Sequence, residues 1–293
     1  MSLQVQEKTK KRAVAGVEPA VTAIDFSSHS NKGLIGLWQL RSLISLMAKR
    51  DLMGRYRGSL MGALWPLIYP MGHLLLYTFV FNLVLKVRFG ADPSTGNFAL
   101  NLMTGLLAWS AFSEAIARST TCILEVPNLV KRVVFPLEVL PLVVVLSSLS
   151  SSFVALPLVV LVSAIYLKAI YWTVVFVPLI LFSQCLFTAG LSWLLSSLGV
   201  YIRDIRHIMS LALSVWMYMT PIVYPPTALP AEFKFLLYIN PLAGIVSDYR
   251  RVILQGLPPD WVSYCSYTAI ALVACLVGYR FFAKTKLSFA DVM

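Results

Sequence analysis

The sequence predicts an all-α integral membrane protein with six transmembrane helices and both termini in the cytoplasm. Three observations predict it. Of 293 residues, 58% are hydrophobic and 13% are charged, about half the charged share of an average soluble chain. With a mean hydropathy of +0.78, this excludes an ordinary soluble globular domain. Blocks without charged residues cover 60–85, 139–166, 169–202, 207–230 and 261–279. Each supplies the roughly 20 residues that cross a hydrocarbon core about 30 Å thick. Finally, placing the N-terminus inside puts 18 of the 24 Lys and Arg in cytoplasmic segments and leaves Lys86, Arg88, Lys168, Lys234, Arg250 and Arg251 outside. Such an excess of basic residues faces the cytoplasm in multi-pass proteins. The net charge of +11 is therefore an orientation signal. A nucleic-acid surface would gather its cations on one wettable face instead of scattering them between apolar blocks.

The segments follow in order. Residues 1–33 are basic and lack the apolar core of a signal peptide, so a disordered cytoplasmic tail is expected. In 34–57, Leu37, Leu40, Ile44 and Met47 recur at spacings of 3, 4 and 3, with Arg41, Ser42, Ser45 and Lys49 projecting elsewhere. This pattern is an amphipathic helix along the cytoplasmic interface, with Trp38 at the headgroup level. It ends on Arg55 and Arg57, cations suited to phosphate groups of anionic lipid or of a lipid-linked substrate. The rest, 58–293, forms the six-span transmembrane domain.

Within the first span, Trp65, Tyr69, His73, Tyr77 and Phe81 recur every fourth residue, a stripe that winds by about 40° per step. Interface belts explain aromatic rings at the ends of a span but not in its middle. The stripe either packs against other helices or offers a sugar chain flat apolar faces with hydrogen-bonding edges. Pro66 and Pro70 free backbone groups there, which suits a helix packed against others or lining a wet cavity.

The second span, 98–121, carries Glu114 and Arg118, each costing roughly 2.5–3.5 kcal/mol at mid-bilayer. Their spacing, acid first and four apart, forms an intramembrane ion pair, and Arg118 lies near enough to an end to snorkel. In the next loop, Pro127 and Pro136 bracket Asn128, Leu129, Val130, Lys131, Arg132 and Val133. That is a short helix at about 128–135, offered to a partner's groove or packed under the membrane. A second cytoplasmic turn, with Arg203 and Asp204, makes a smaller contact. The fifth span carries Trp216 and Tyr218, then meets Pro221, Tyr224, Pro225 and Pro226, which stop the helix and cap a pathway at the outer surface. Residues 235–247 are too few to cross, so 225–255 reads as an outer region of short or re-entrant helices.

Several chemistries are missing. The chain has no G-x-x-x-x-G-K-[ST] phosphate loop, no H-E-x-x-H and no G-x-S-x-G. Its four Cys and three His show no metal-ligand spacing. We therefore expect no catalytic residue, no metal, no cofactor in this chain and no nucleic-acid partner.

Arg55-Tyr56-Arg57-Gly58-Ser59-Leu60-Met61-Gly62 with Leu64-Trp65-Pro66, then Thr220-Pro221-Ile222 and Asn240-Pro241-Leu242, resemble the membrane subunit of ABC-2-type polysaccharide exporters. These are the O-antigen, capsule and teichoic-acid permeases. The resemblance covers about residues 38–290, and its most specific part runs from Arg55 to Pro66. It implies a type V exporter fold: a homodimer with six spans per chain, driven by two copies of a separate cytoplasmic ATPase that binds ATP and Mg. By the same resemblance the interface helix falls at about 34–53, the coupling helix at 128–135 and the aromatic-lined channel in spans 1 and 5. The expected function is export of a lipid-linked polysaccharide, O-antigen first, across the bacterial inner membrane. Teichoic-acid or capsule export comes next. An ABC-2 drug or lipid efflux permease shares the topology, and a membrane glycosyl- or acyltransferase using Glu114 or His73 is the enzyme alternative.

Overall fold

The structure is a computed structural model that describes residues 33–56, 65–87, 89, 94–132 and 135–292. Residues 1–32 of the expected tail, Arg57 and Val133 lie outside the described residues, as do the side chains of Tyr69 and Arg132. Helices make up the described elements, and no strand occurs among them.

Two helices open the chain, α1 (Gly33–Gln39) and α2 (Arg41–Tyr56). Leu40, Ile44 and Ala48 are buried against Val139 and Val143 of a later helix, so the periodic apolar face packs on another helix while Trp38 stays 72% exposed. The first predicted span appears as α3 (Trp65–Tyr77), continued by a π-helical stretch, Thr78–Val84. The second is α4 (Thr95–Ser119), capped by the Ser94 hydroxyl, which accepts from the Asn97 N–H at 3.2 Å. The short helix predicted between the two prolines is α5 (Pro127–Arg132), with Pro at its first position where a missing N–H costs nothing.

Among the described residues, three units are long and apolar enough to cross a membrane: α6 (Val139–Leu167), the stretch Trp172–Tyr201 containing α7 (Val177–Tyr201), and Trp261–Val292, containing α11 (Trp261–Thr285). α4 has the length, at 25 residues, with Glu114 and Arg118 on it. α8 (Ile205–Met219) has 15 residues, about 22 Å at 1.5 Å each. It stops two residues before Pro221 because a proline biases its predecessor away from helix, and Thr220 is extended, at ψ 132. The block 207–230 is thus helical for little more than half its length. Beyond it lie two short helices, α9 (Phe235–Ile239) and α10 (Pro241–Arg250), and the chain ends in α12 (Phe289–Val292).

α7 and α11 touch backbone to backbone. A Cβ on Gly278 would lie 2.0 Å from the Gly190 carbonyl oxygen, and one on Gly190 would lie 2.4 Å from the Ala274 carbonyl carbon. Small residues permit such close approach between membrane helices. Gly278→Ala is expected to push α7 and α11 apart at a cost of about 1–3 kcal/mol, read as a lower melting temperature of the purified protein. Gly54→Ala is the control, since its Cβ meets nothing.

Candidate functional site

A cavity of about 760 Å³ opens between α3, α4 and α8. His73 and Tyr77 form one wall, and Arg206, Ser210, Leu213 and Met217 form another. α4 supplies the third wall with Ser110, Ser113, Glu114, Ala117 and Arg118, steps of three, one, three and one that keep one helical face toward the space, and Thr121 joins them from the turn after the helix. The rings follow one another along α3 and its π-helical continuation: His73 and Tyr77 lie 5.6 Å apart, and Tyr77 meets Phe81 edge-on at 6.1 Å. The Tyr77 hydroxyl approaches Met217 Sδ at 3.9 Å, linking two walls. The cavity can therefore offer ring faces on one side and hydroxyls with charges on the other.

A four-charge cluster, two of whose members line the cavity, joins the α4 wall to α2. Arg118 donates to both oxygens of Asp51 at 2.8 and 2.9 Å, and Arg55 donates to Asp51 at 3.0 and 3.2 Å. Arg55 also pairs with Glu114 and bonds Ser147, while Arg118 and Glu114 stand 4.0 Å apart. The predicted partners Glu114 and Arg118 thus each have a closer partner on α2. The Ser147 hydroxyl donates to Asp51 at 2.6 Å, so α2, α4 and α6 are joined at one point.

At the far end, the motifs around Pro221 and Pro241 meet. Asn240 caps α10 by accepting from the Leu242 N–H at 3.1 Å. Its side chain also accepts from the Trp216 indole at 3.0 Å and donates to the Thr220 hydroxyl at 2.8 Å. Arg250, 4% exposed, donates to the carbonyls of Pro221 at 2.7 Å, Ile222 at 2.9 Å and Asn101 at 3.1 Å. Its guanidinium lies 4.8 Å over the Phe89 ring. The first two bonds satisfy carbonyls at the break after α8 that have no helical donor, and the third holds that break to α4. Asp248 accepts from the Asp260 N–H at 3.0 Å and the Tyr267 hydroxyl at 2.9 Å, tying α10 to α11. Burial raises the Asp248 carboxyl above its ordinary value, while those two donors act against the rise. Pro225 and Arg250 line a second cavity of about 450 Å³.

The remaining predicted positions separate into groups. Trp216 turns into the core, edge-on to Phe112 at 5.3 Å and Phe187 at 6.1 Å, and is not part of the cavity lining. Trp65 and Tyr218 are 43% and 55% exposed. The Tyr224 hydroxyl donates to the Tyr218 carbonyl at 2.7 Å, a brace across the break after α8. On α5, Asn128 and Lys131 are exposed and Leu129 is half-buried, while Val130 packs on a cluster containing Trp193, Phe282 and Phe289. Arg203 and Asp204 are exposed. The described residues hold no group of three or more His, Cys, Asp or Glu able to take a metal, and all four cysteines are free. The residues that sequence reasoning missed are Ser110, Ser113, Thr121 and Ser210 in the cavity, Asp51 in the cluster and Arg250 at the break. The polar spacing on α4 was the signal for the first two.

A helical membrane protein with a charged, ring-lined cavity and a braced broken helix is the kind of molecule that passes a substrate across a bilayer. The chain belongs to the ABC-2 type transporter family, which matches residues 42–254, a stretch that includes every residue lining the larger cavity. The chain is 30% identical over 257 residues to the O-antigen export system permease protein RfbA of Myxococcus xanthus, covering 87% of this chain and 96% of that protein. It is also 30% identical over 259 residues to the protein of the same name in Klebsiella pneumoniae, covering 88% and 97%. The polysialic acid transport protein KpsM of Escherichia coli is 23% identical over 230 residues, covering 78% and 88%.

Proposed function

We propose that the chain is the transmembrane subunit of an ATP-driven exporter carrying a lipid-linked polysaccharide, O-antigen first, out across the bacterial inner membrane. The observation that carries this reading is the cavity between α3, α4 and α8. Its rings suit sugar C–H faces and its hydroxyls suit sugar hydroxyls, in a chain whose relatives are named for O-antigen export and polysialic acid transport.

Six spans cross the bilayer, with α3, α4 and α8 completing the three long apolar units, and both termini are cytoplasmic. α1 and α2 lie along the cytoplasmic interface. Two copies of the chain assemble with two copies of an ATPase that binds ATP and Mg, and this chain holds no cofactor. The exposed Asn128 and Lys131 of α5 and the exposed Arg203 and Asp204 meet the ATPase. Arg55, held by two carboxylates, fixes α2 in place. Phosphate groups of substrate or anionic lipid fall to Arg57 and, in the cavity wall, to Arg206. The break braced by Tyr224, Pro221 and Pro225 forms the outer gate.

Replacing Tyr69 and Tyr77 by Leu tests the reading. Leu keeps the apolar volume and removes the ring faces, so glycan export by the variant should fall about tenfold, equivalent to about 1.4 kcal/mol of lost transition-state stabilisation. A drug or lipid efflux permease would lose little. A membrane transferase would form product from lipid-linked acceptor in vitro with no ATPase present.

A further inference from the structure

The two exposed cytoplasmic contact points, α5 and the turn carrying Arg203 and Asp204, are 70 residues apart in sequence, yet the C-terminal segment joins them. Phe289 of α12 is fully buried. Its ring meets Phe282 edge-on at 5.5 Å and Tyr201 at 6.1 Å. The Tyr201 hydroxyl donates to the Thr285 carbonyl at 3.1 Å and pairs with the Ser288 hydroxyl at 2.8 Å. On the other side α12 touches α5, and Val126 and Val130 pack on the cluster that contains Phe289. Lys286 bonds Glu138, whose carbonyl accepts from the Trp193 indole at 3.0 Å. The start of α6, just after α5, is thereby fastened to α7 and to the end of α11.

α8 contrasts with this packed region. Only Leu213 of its 15 residues is buried, and four of its residues line the larger cavity. It begins directly after the turn that Tyr201 anchors. A displacement of α5 therefore has a packed route to the cavity: through Phe289 to Tyr201, through the turn and into α8. Packed side chains transmit displacement because interiors are dense and stiff.

Resting on the proposed ATPase-driven reading, we propose that Tyr201 and Phe289 are positioning residues that bind α5 and the Arg203–Asp204 turn into one body, so that movement imposed by the ATPase reaches α8. The C-terminal segment is then part of the drive, although it touches neither substrate nor nucleotide.

The test uses the full chain in complex with its partner ATPase, comparing wild type with Tyr201→Phe, Phe289→Ala and Phe289→Leu. ATP hydrolysis, glycan export and complex recovery are measured on the same preparations. Phe289→Ala should keep hydrolysis within about twofold of wild type while export falls about tenfold. Tyr201→Phe, which removes two hydrogen bonds and no packing, should uncouple about threefold, and Phe289→Leu should recover most export. Unchanged export in both Tyr201→Phe and Phe289→Ala overturns the proposal. So does a proportional loss of hydrolysis and export, which marks a docking role. If Phe289→Ala yields no complex, Tyr201→Phe decides alone. Spin labels on cysteines introduced at Pro127 and Ile202, both exposed and neither assigned to the ATPase contact, in a chain whose four free cysteines are replaced by Ala, give a second readout that needs no glycan. Their separation should stay fixed between nucleotide-free and nucleotide-bound wild type and spread in Tyr201→Phe, and a separation that already changes in wild type refutes the single body. A wild-type complex that exports no glycan defeats the substrate reading, and the label distances then decide this proposal separately.

Discussion

Arg250→Leu is expected to lower stability by at least about 2 kcal/mol, because each buried carbonyl left without a donor costs about 1–3 kcal/mol. Two carbonyls lose their donor at once, those of Pro221 and Ile222, and the Asn101 carbonyl, already bonded within α4, loses its second. The effect on the melting temperature of the purified protein should be roughly 4–8 °C, taking about 2–4 °C per kcal/mol for a chain of this size. Arg250→Lys should recover only part of the loss. An ammonium on a flexible stem cannot reproduce a planar fork that serves three acceptors in different directions. Arg251, next in sequence, is the control. It is half-buried and makes one bond, to the Pro258 carbonyl at 3.1 Å, so Arg251→Leu should cost under about 1 kcal/mol. Export should follow the same order, since Arg250 holds the broken end of α8 against α4.

The second large effect falls at the other end of α4. Arg55→Ala leaves the Asp51 and Glu114 carboxylates with Arg118 as their one remaining described cation. Removing one member of a buried ion pair costs about 3–5 kcal/mol. Here the side chains are 15–35% exposed, and water screens part of that loss, giving about 2 kcal/mol. Arg55→Ala combined with Glu114→Gln should be more stable than Arg55→Ala alone, because the charge that lost its partner is gone as well. A double-mutant cycle on melting temperatures measures that recovery. Limited proteolysis gives an independent check: α2 should become cleavable in Arg55→Ala, as it is held to α4 and α6 largely through this cluster and the Leu40, Ile44 and Ala48 contact.

What could be read in the sequence depended on how far apart the partners lie. The stop before Pro221 is a local event, governed by one missing N–H, and was legible; the break at Asn240, which divides the segment expected over 235–247 into α9 and α10, is just as local, set by one capping side chain, but was not read. The aromatic stripe was legible as a stripe, and two of its members, His73 and Tyr77, line the cavity with α8. The polar face of α4 has equally regular spacing, yet Glu114 and Arg118 drew attention as a pair within one helix. Their nearer partners, Arg55 and Asp51, are 59 and 67 residues away, and no periodicity reports such contacts. Arg250 was hidden more completely, for its acceptors are backbone carbonyls, which every residue has. Trp216 shows the converse: a ring on a predicted channel helix turned inward because its indole N–H finds Asn240 at 3.0 Å. The aliphatics of α5 looked surplus to a loop, and Val130 has its place against the cluster around Phe289 because the far C-terminus folds back beneath it.

The central claim is that this chain passes a glycan outward. Its most direct test is surface labelling of cells in which the gene is deleted in frame and then restored from a plasmid, with total glycan measured alongside. If the chain does so, the deletion strain loses surface glycan, accumulates lipid-linked glycan inside, and regains surface glycan on restoration of the wild-type chain but not of the Tyr69→Leu, Tyr77→Leu double variant. Surface glycan at wild-type level in the deletion strain would contradict it.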